Sequence, residues 1–310
     1  FTEVTAIHRD VREVDVKNLI TGETYRESYD KIIMSPGAEP LKPPIPGIDL
    51  DSIFNLRNIP DSDRIKAFVD EKHPQSAVIV GGGFIGLEMA ENLVVRGVKT
   101  SIVEKLDQVM PSLDFEMASF MSAHLKEKGV ECILGDGIQS FSQENGRLTV
   151  HTENGRNLAC DLAVLSIGVR PENRLARESG LEIGQKGGVK VGATMQTSDP
   201  DIYAVGDAVE VTDHVTGFRT MTPLAGPANK QGRIAADNVM GRRTTFRGTL
   251  GTSVVKMFDL TVASTGANER FLTANNIPYL VSYTHSGSHA SYYPGAEMMA
   301  IKLFFSPSSG

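Results

Sequence analysis

Residues 76–129 switch repeatedly between short unbroken apolar runs and longer stretches with helical spacing. Ser76 to Val80 is a buried-strand pattern running into Gly81-Gly82-Gly83. Ile85, Met89 and Leu93 then recur at i, i+4 and i+8, with the small Gly86 and Ala90 on the same face. That spacing predicts an amphipathic helix lying close to a sheet. Gly97, after Arg96, suits its C-terminal end. Residues 100–104 predict a second strand. Leu113, Met117, Met121 and Leu125 predict a helix over 113–128, with Lys126 and Lys128 at its negative end and Gly129 as its stop. Strands are expected within 4–16, over 29–34 and through 130–159, and a strand-like stretch over 189–207. Short helices are expected over 62–69 and near 173–179, and a longer one over 226–240. The last segment, 298–305, reads as an unpaired strand. Four prolines in residues 40–47 predict a stiff extended crossing between domains. Strands interleaved with helices imply an α/β fold with a parallel, doubly wound sheet.

The same pattern occurs twice. Asp30, Ser35, Gly37 and Pro40 are matched by Asp161, Ser166, Gly168 and Pro171, all at an offset of 131. Each copy follows a hairpin-like stretch with a Gly turn, at Thr21-Gly22 and at Asn154-Gly155. A repeat of this kind predicts two related domains in tandem. Moving Gly81 back by 131 positions lands before Phe1, so the first copy's Gly-rich loop is expected upstream. The expected domains are 1–72, 73–190, 191–243 returning to the first domain, and 244–310, where the texture becomes β-rich and the terminal domain is expected to be incomplete.

Composition narrows the classes. Apolar residues at 40% and charged ones at 22% fit a globular protein with ample core. A net charge of −7 argues against nucleic acid or an anionic membrane as partner. No apolar run reaches membrane-spanning length. Cys132 and Cys160 are too few for a disulfide scaffold and fall in probable strands, which marks both as structural thiols. No metal site is expected.

Gly81-x-Gly83-x-x-Gly86 follows a strand, opens a helix and is followed by the acid Glu104 at the next strand's end. This context is that of a dinucleotide-binding loop. Gly81 permits the tight turn, Gly83 lets a pyrophosphate approach the backbone, and Gly86 packs helix on strand, with the N–H groups of Phe84, Ile85 and Gly86 at the positive helix end. A carboxylate at 104 can accept ribose hydroxyls and repel a 2′-phosphate, which favours NADH. Lys105 beside it could still offer a phosphate a charge.

Thr197-Ser198-x-Pro200-x-Ile202-Tyr203-Ala204-x-Gly206-Asp207 resembles the second FAD motif of the pyridine nucleotide–disulfide oxidoreductases. The resemblance implies that Asp207 meets the flavin ribityl chain and that Ser35-Pro36-Gly37 lies beside the flavin, with Gly168 its twin beside the nicotinamide. It also implies that Val4 meets the FAD adenine and that Pro223-Leu224-Ala225 passes under the isoalloxazine. Phe84 resembles the residue gating the nicotinamide pocket, and Glu88 an acid near the flavin–nicotinamide contact. His289-Ala290-Ser291-Tyr292-Tyr293-Pro294-Gly295-Ala296-Glu297 is similar to a segment of coenzyme A-disulfide reductases and NADH-dependent persulfide reductases. In that group a tyrosine of the C-terminal dimerisation domain reaches the partner subunit's active site. Tyr292 or Tyr293 matches it, with core aromatics as the plain alternative. Taken together, the resemblance implies a cytoplasmic homodimer with tandem Rossmann-like three-layer domains, binding FAD and NADH and reducing a coenzyme A disulfide or persulfide. Its redox cysteine would precede Phe1. An NADH oxidase or peroxidase is the sibling alternative, and residues 1–310 on their own are expected to be a nucleotide-binding fragment that neither retains FAD nor turns over.

Overall fold

In the computed structural model, which describes residues 1–310, alternate residues of the strand Ser76–Val80 enter two different cores. Ala77 and Ile79 join a helix-side core, while Val78 and Val80 join the opposite one. The same split recurs in the neighbouring strand Leu162–Leu165, with Leu162 and Val164 on one side and Ala163 and Leu165 on the other. A strand apolar at every position is one whose two faces are both covered. This explains the unbroken runs.

The chain divides into two compact units, Phe1–Glu39 with Val169–Ser253, and Pro40–Gly168 with Val254–Gly310. The breaks between these units fall after residues 39, 168 and 253. Six helices are present: α1 Ile59–Lys72, α2 Phe84–Val95, α3 Phe115–Glu127, α4 Arg174–Glu178, α5 Ala225–Val239 and α6 Glu269–Ala274.

The second unit is built on a five-stranded parallel sheet in the order Ile53–Asn55, Leu162–Leu165, Ser76–Val80, Lys99–Val103, Glu131–Ile133. Leu87, Ala90 and Leu93 of α2 and Met121 and Leu125 of α3 cover one face. Phe141, Leu148, Val150 and Cys160, from a three-stranded antiparallel sheet over Ile138–Glu144, Arg147–Thr152 and Asn157–Cys160, cover the other. The architecture is thus α/β in three layers. Val255 and Met257 of the terminal segment are buried in the helix-side core.

The first unit carries a three-stranded antiparallel sheet over Thr2–His8, Glu13–Asn18 and Thr24–Ser28. In the same unit Ile32–Met34 runs parallel to Ile202–Ala204. Its core gathers Ile202, Ala204, Met195, Val189, Val209 and Ala235.

Several expectations shift. α1 is longer than residues 62–69, because Asn58 and Asp61 form a reciprocal capping box and Pro60 sits in the first turn. Residues 189–207 are not one strand. They break at the Gly192–Gln196 turn into Val189–Lys190 and Ile202–Ala204. Met298–Phe305 is not unpaired, since all eight residues pair antiparallel with Leu280–Gly287. α6, capped by Asn268, is short and lacks a sequence period that would reveal it.

Candidate functional site: the glycine-rich loop and its clamps

The strands Ser76–Val80, Lys99–Val103 and Leu162–Leu165 all end at one edge of the parallel sheet, and the chain turns there at Gly81, Glu104 and Ser166. Ligands of open α/β sheets bind at this carboxyl edge. Gly81 has φ +103°, and a Cβ on it would collide with the Ser166 carbonyl oxygen. Gly86 is equally constrained, since its Cβ would strike the Gly81 carbonyl oxygen. Gly83 differs: nothing lies within 4 Å of the place its Cβ would take. The loop is therefore packed tightly at its base and open at the residue that caps α2. No side chain caps that helix, which leaves its first-turn N–H groups for an anion. This cradle fits the pyrophosphate of a dinucleotide.

Glu104 stands where the sequence places it, but it is buried, at 8% exposure. Its carboxylate accepts the Gly82 N–H at 2.7 Å and the Leu106 N–H at 2.8 Å. It thus holds the Gly-rich loop. Lys105 is paired with Glu153 at 2.9 Å, so its charge is already engaged. The Ser166 hydroxyl donates to the carbonyls of Val80, at 2.8 Å, and Gly81, at 2.9 Å. Gly168 adopts φ +110° two residues on. Phe84 is half-buried against the helix-side core, Ile85 is half-buried and Glu88 is exposed. The fully covered residues of α2 are Leu87, Ala90 and Leu93 instead of Ile85 and Met89.

The first unit brings a second set together. Ile32–Met34 and Ile202–Ala204 are parallel neighbours, so Ser35-Pro36-Gly37 and Gly206-Asp207 leave the same sheet edge side by side. Gly37 and Gly206 have φ +78° and +80°. The buried Gln231 of α5 accepts the Gly206 N–H at 2.7 Å, which draws α5 to this edge. Pro223, Leu224 and Ala225 form its uncapped N-terminal end. Burial raises the Asp207 carboxyl above its ordinary pKa. Val4 lies elsewhere, on the antiparallel sheet opposite Val16.

Tyr292 and Tyr293 are 81% and 57% exposed in the connection between the last two strands, with ring centroids 4.8 Å apart, so neither is a core aromatic. Cys160 is fully buried and Cys132 is half-buried. Burial, aided by Glu131, pushes the Cys132 thiol up to about 11. Burial, with Asp161 beside it, takes Cys160 up to about 12. Both stay protonated at neutral pH and are poor nucleophiles. Gln108 and Met110 also bear on the loop, and the sequence does not reveal them because neither belongs to a spaced motif.

A family model for the pyridine nucleotide-disulphide oxidoreductases matches residues 1–232. The chain belongs to this family. The NADH oxidase of Methanocaldococcus jannaschii is 35% identical and the coenzyme A disulfide reductase of Staphylococcus haemolyticus 33% identical, each over 306 residues, 98% of this chain and 68% of the relative. The solved structure of reduced Bacillus anthracis CoADR-RHD is 49% identical with a TM-score of 0.95, covering 98% of this chain and 55% of that one. The chain thus spans little more than half the length of that structure. No helix is long and apolar enough to cross a membrane.

Proposed function

We propose that this chain carries the nucleotide-binding machinery of an FAD-dependent NADH oxidoreductase that reduces a coenzyme A disulfide or persulfide. The observation carrying this reading is the Gly81–Gly86 cradle with its open Gly83 and the Glu104 carboxylate at the next strand's end. Gly81, Gly83, Phe84, Ile85, Gly86, Glu104 and Gly168 would hold NADH. Ser35, Pro36, Gly37, Asp207 and Leu224 would contribute to an FAD site. Bound flavin supplies the electron relay between hydride donor and thiol acceptor. The protein's part is to orient the two nucleotides and exclude water. Coenzyme A disulfide as acceptor draws support from the Staphylococcus haemolyticus reductase and from the segment 289–297, where Tyr292 and Tyr293 are exposed enough to reach a partner subunit in a homodimer. Since Cys160 is buried, Cys132 is half-buried and both are held protonated, the reacting thiol is neither of them.

A second reading, an NADH oxidase with oxygen as acceptor, draws on the Methanocaldococcus jannaschii relative. The test monitors NADH absorbance in the flavin-loaded full-length protein with coenzyme A disulfide, a coenzyme A persulfide, or oxygen. Preference for either sulfur acceptor, retained in Cys132→Ser and Cys160→Ser, is the expected result. Preference for oxygen would replace it with the oxidase reading. Absence of NADH binding would sink both.

A further inference from the structure

The Gly82 peptide is gripped from both sides. Its N–H goes to the Glu104 carboxylate at 2.7 Å, and its carbonyl accepts the Met110 N–H at 2.8 Å. Val109 is fully buried and packs on the same glycine, where its Cγ1 would lie 3.1 Å from any Cβ. Met110 holds its N–H in place at a cost, because it sits at φ +50° with a side chain only 1% exposed. A non-Gly residue in the left-handed region is strained and persists only where its surroundings over-determine it. Here the surroundings are Gln108, itself 8% exposed, whose amide donates to the Leu113 carbonyl at 3.0 Å and, at a longer 3.4 Å, to that of Met110. The Leu113 N–H also closes on the Met110 carbonyl, at 2.9 Å.

We propose that Gln108 and Met110 are positioning residues for the dinucleotide, fixing the Gly82 peptide so that the loop's N–H groups are aimed at the pyrophosphate before it arrives. This rests on the reading of Gly81–Gly86 as the NADH cradle. Without the two Gln108 donors, Met110 relaxes towards negative φ and its N–H swings away from Gly82. Binding then has to order the loop, and preorganisation is lost. Strain at this position is thereby explained by what it holds and not by local sequence preference.

Gln108→Met roughly keeps length and volume and removes the side-chain amide that donates to Leu113 and Met110. NADH affinity, measured by calorimetry, should fall about tenfold, the loss expected for two modest hydrogen bonds. Amide exchange at Gly82 in the nucleotide-free protein should quicken by a similar factor, with exchange at Ile79 and Ile102 unchanged. Unchanged affinity, or equal quickening at Ile79 and Gly82, would overturn the proposal, the second because it marks general destabilisation. If Gln108→Met does not fold, the unmodified protein decides: Gly82 must be protected before NADH is added, and rapid exchange until nucleotide binds overturns the clamp. Should the unmodified protein bind no NADH while Gly82 is protected, the nucleotide reading itself has failed and takes the positioning role with it.

Discussion

Arg170 donates from Nε to the Glu39 carboxylate at 2.6 Å, and the two residues occupy matching positions of the internal repeat, 131 apart. The backbone around them obeys the same relation. The Leu41 N–H goes to the Gly168 carbonyl at 2.9 Å, and the Glu172 N–H to the Gly37 carbonyl at 3.0 Å; moving Leu41 forward and Gly168 back by 131 turns the first bond into the second. The short strands Ala38–Pro40 and Val169–Pro171, two copies of one sequence motif, thus pair with each other.

Arg170→Ala should nonetheless cost little. The Arg170 side chain is 65% exposed, and exposed pairs contribute roughly 0–1 kcal/mol. The backbone bonds on either side remain. Urea unfolding of Arg170→Ala and Glu39→Gln should show losses below about 1 kcal/mol. A loss of several kcal/mol would mean that the ion pair, and not the backbone ladder, holds these strands together.

Glu104→Ala should weaken NADH by about tenfold to a hundredfold, since a charge-assisted hydrogen bond is worth roughly 1.5–3 kcal/mol. NADPH should weaken less, because removing the carboxylate also removes its repulsion of a 2′-phosphate. It should not strengthen, because the same carboxylate holds the N–H groups of Gly82 and Leu106. Calorimetry with both nucleotides measures the ratio. Equal affinities in the unmodified protein would remove Glu104 as the selector.

Lys302 is the most consequential charge outside the site. Its side chain, 3% exposed, meets Asp114 at 3.0 Å and Glu269 at 2.6 Å, and also Glu116. Burial disfavours its charge, but hydrogen bonds to Glu116, Glu269 and Asp114 outweigh this and hold its pKa above the usual lysine range. The Lys302 hydrogen bonds depress Glu116 and Glu269 in return. Lys302 and Asp114 are buried but Glu116 and Glu269 are partly exposed, so removing the lysine costs less than the ~3–5 kcal/mol of a fully buried pair, and Lys302→Met should unfold at lower denaturant. The stability from the two depressed carboxylates is present above their unfolded pKa of about 4.3 and lost as pH falls through the lower folded values. Acid denaturation should therefore be less steep in Lys302→Met than in the unmodified protein below about pH 5.

Asp207 behaves in the opposite sense. Its carboxyl is raised by burial, so its favourable, neutral form contributes stability below the unfolded pKa of about 3.9, lost as pH rises through the folded value. Asp207→Asn should raise Tm at pH 7, have no effect near pH 3, and weaken flavin retention at neutral pH. A lower Tm at pH 7 would show that a further partner already stabilises the carboxylate.

By itself, the sequence determined the α/β class, the repeat, the position of the Gly-rich loop and the Gly turns at 22 and 155. These are local statements. A strand buried on both faces must be apolar throughout, a pyrophosphate loop must spare its Cβ atoms, and a turn at positive φ selects glycine, as at Gly22 with +76° and Gly155 with +81°. The tertiary structure alone decided what depends on neighbours distant in sequence. It joined residues 254–310 to the helix-side core through Val255 and Met257, paired Met298–Phe305 with a strand that has no distinguishing period, and buried the Lys302 cluster. It also made Glu104 the holder of two loop amides, and put Gln108 and Met110 behind the same loop. A hydrogen bond between a backbone amide and a carboxylate 22 positions away leaves no period and no motif, because any residue can supply the amide; only the folded chain specifies which one does.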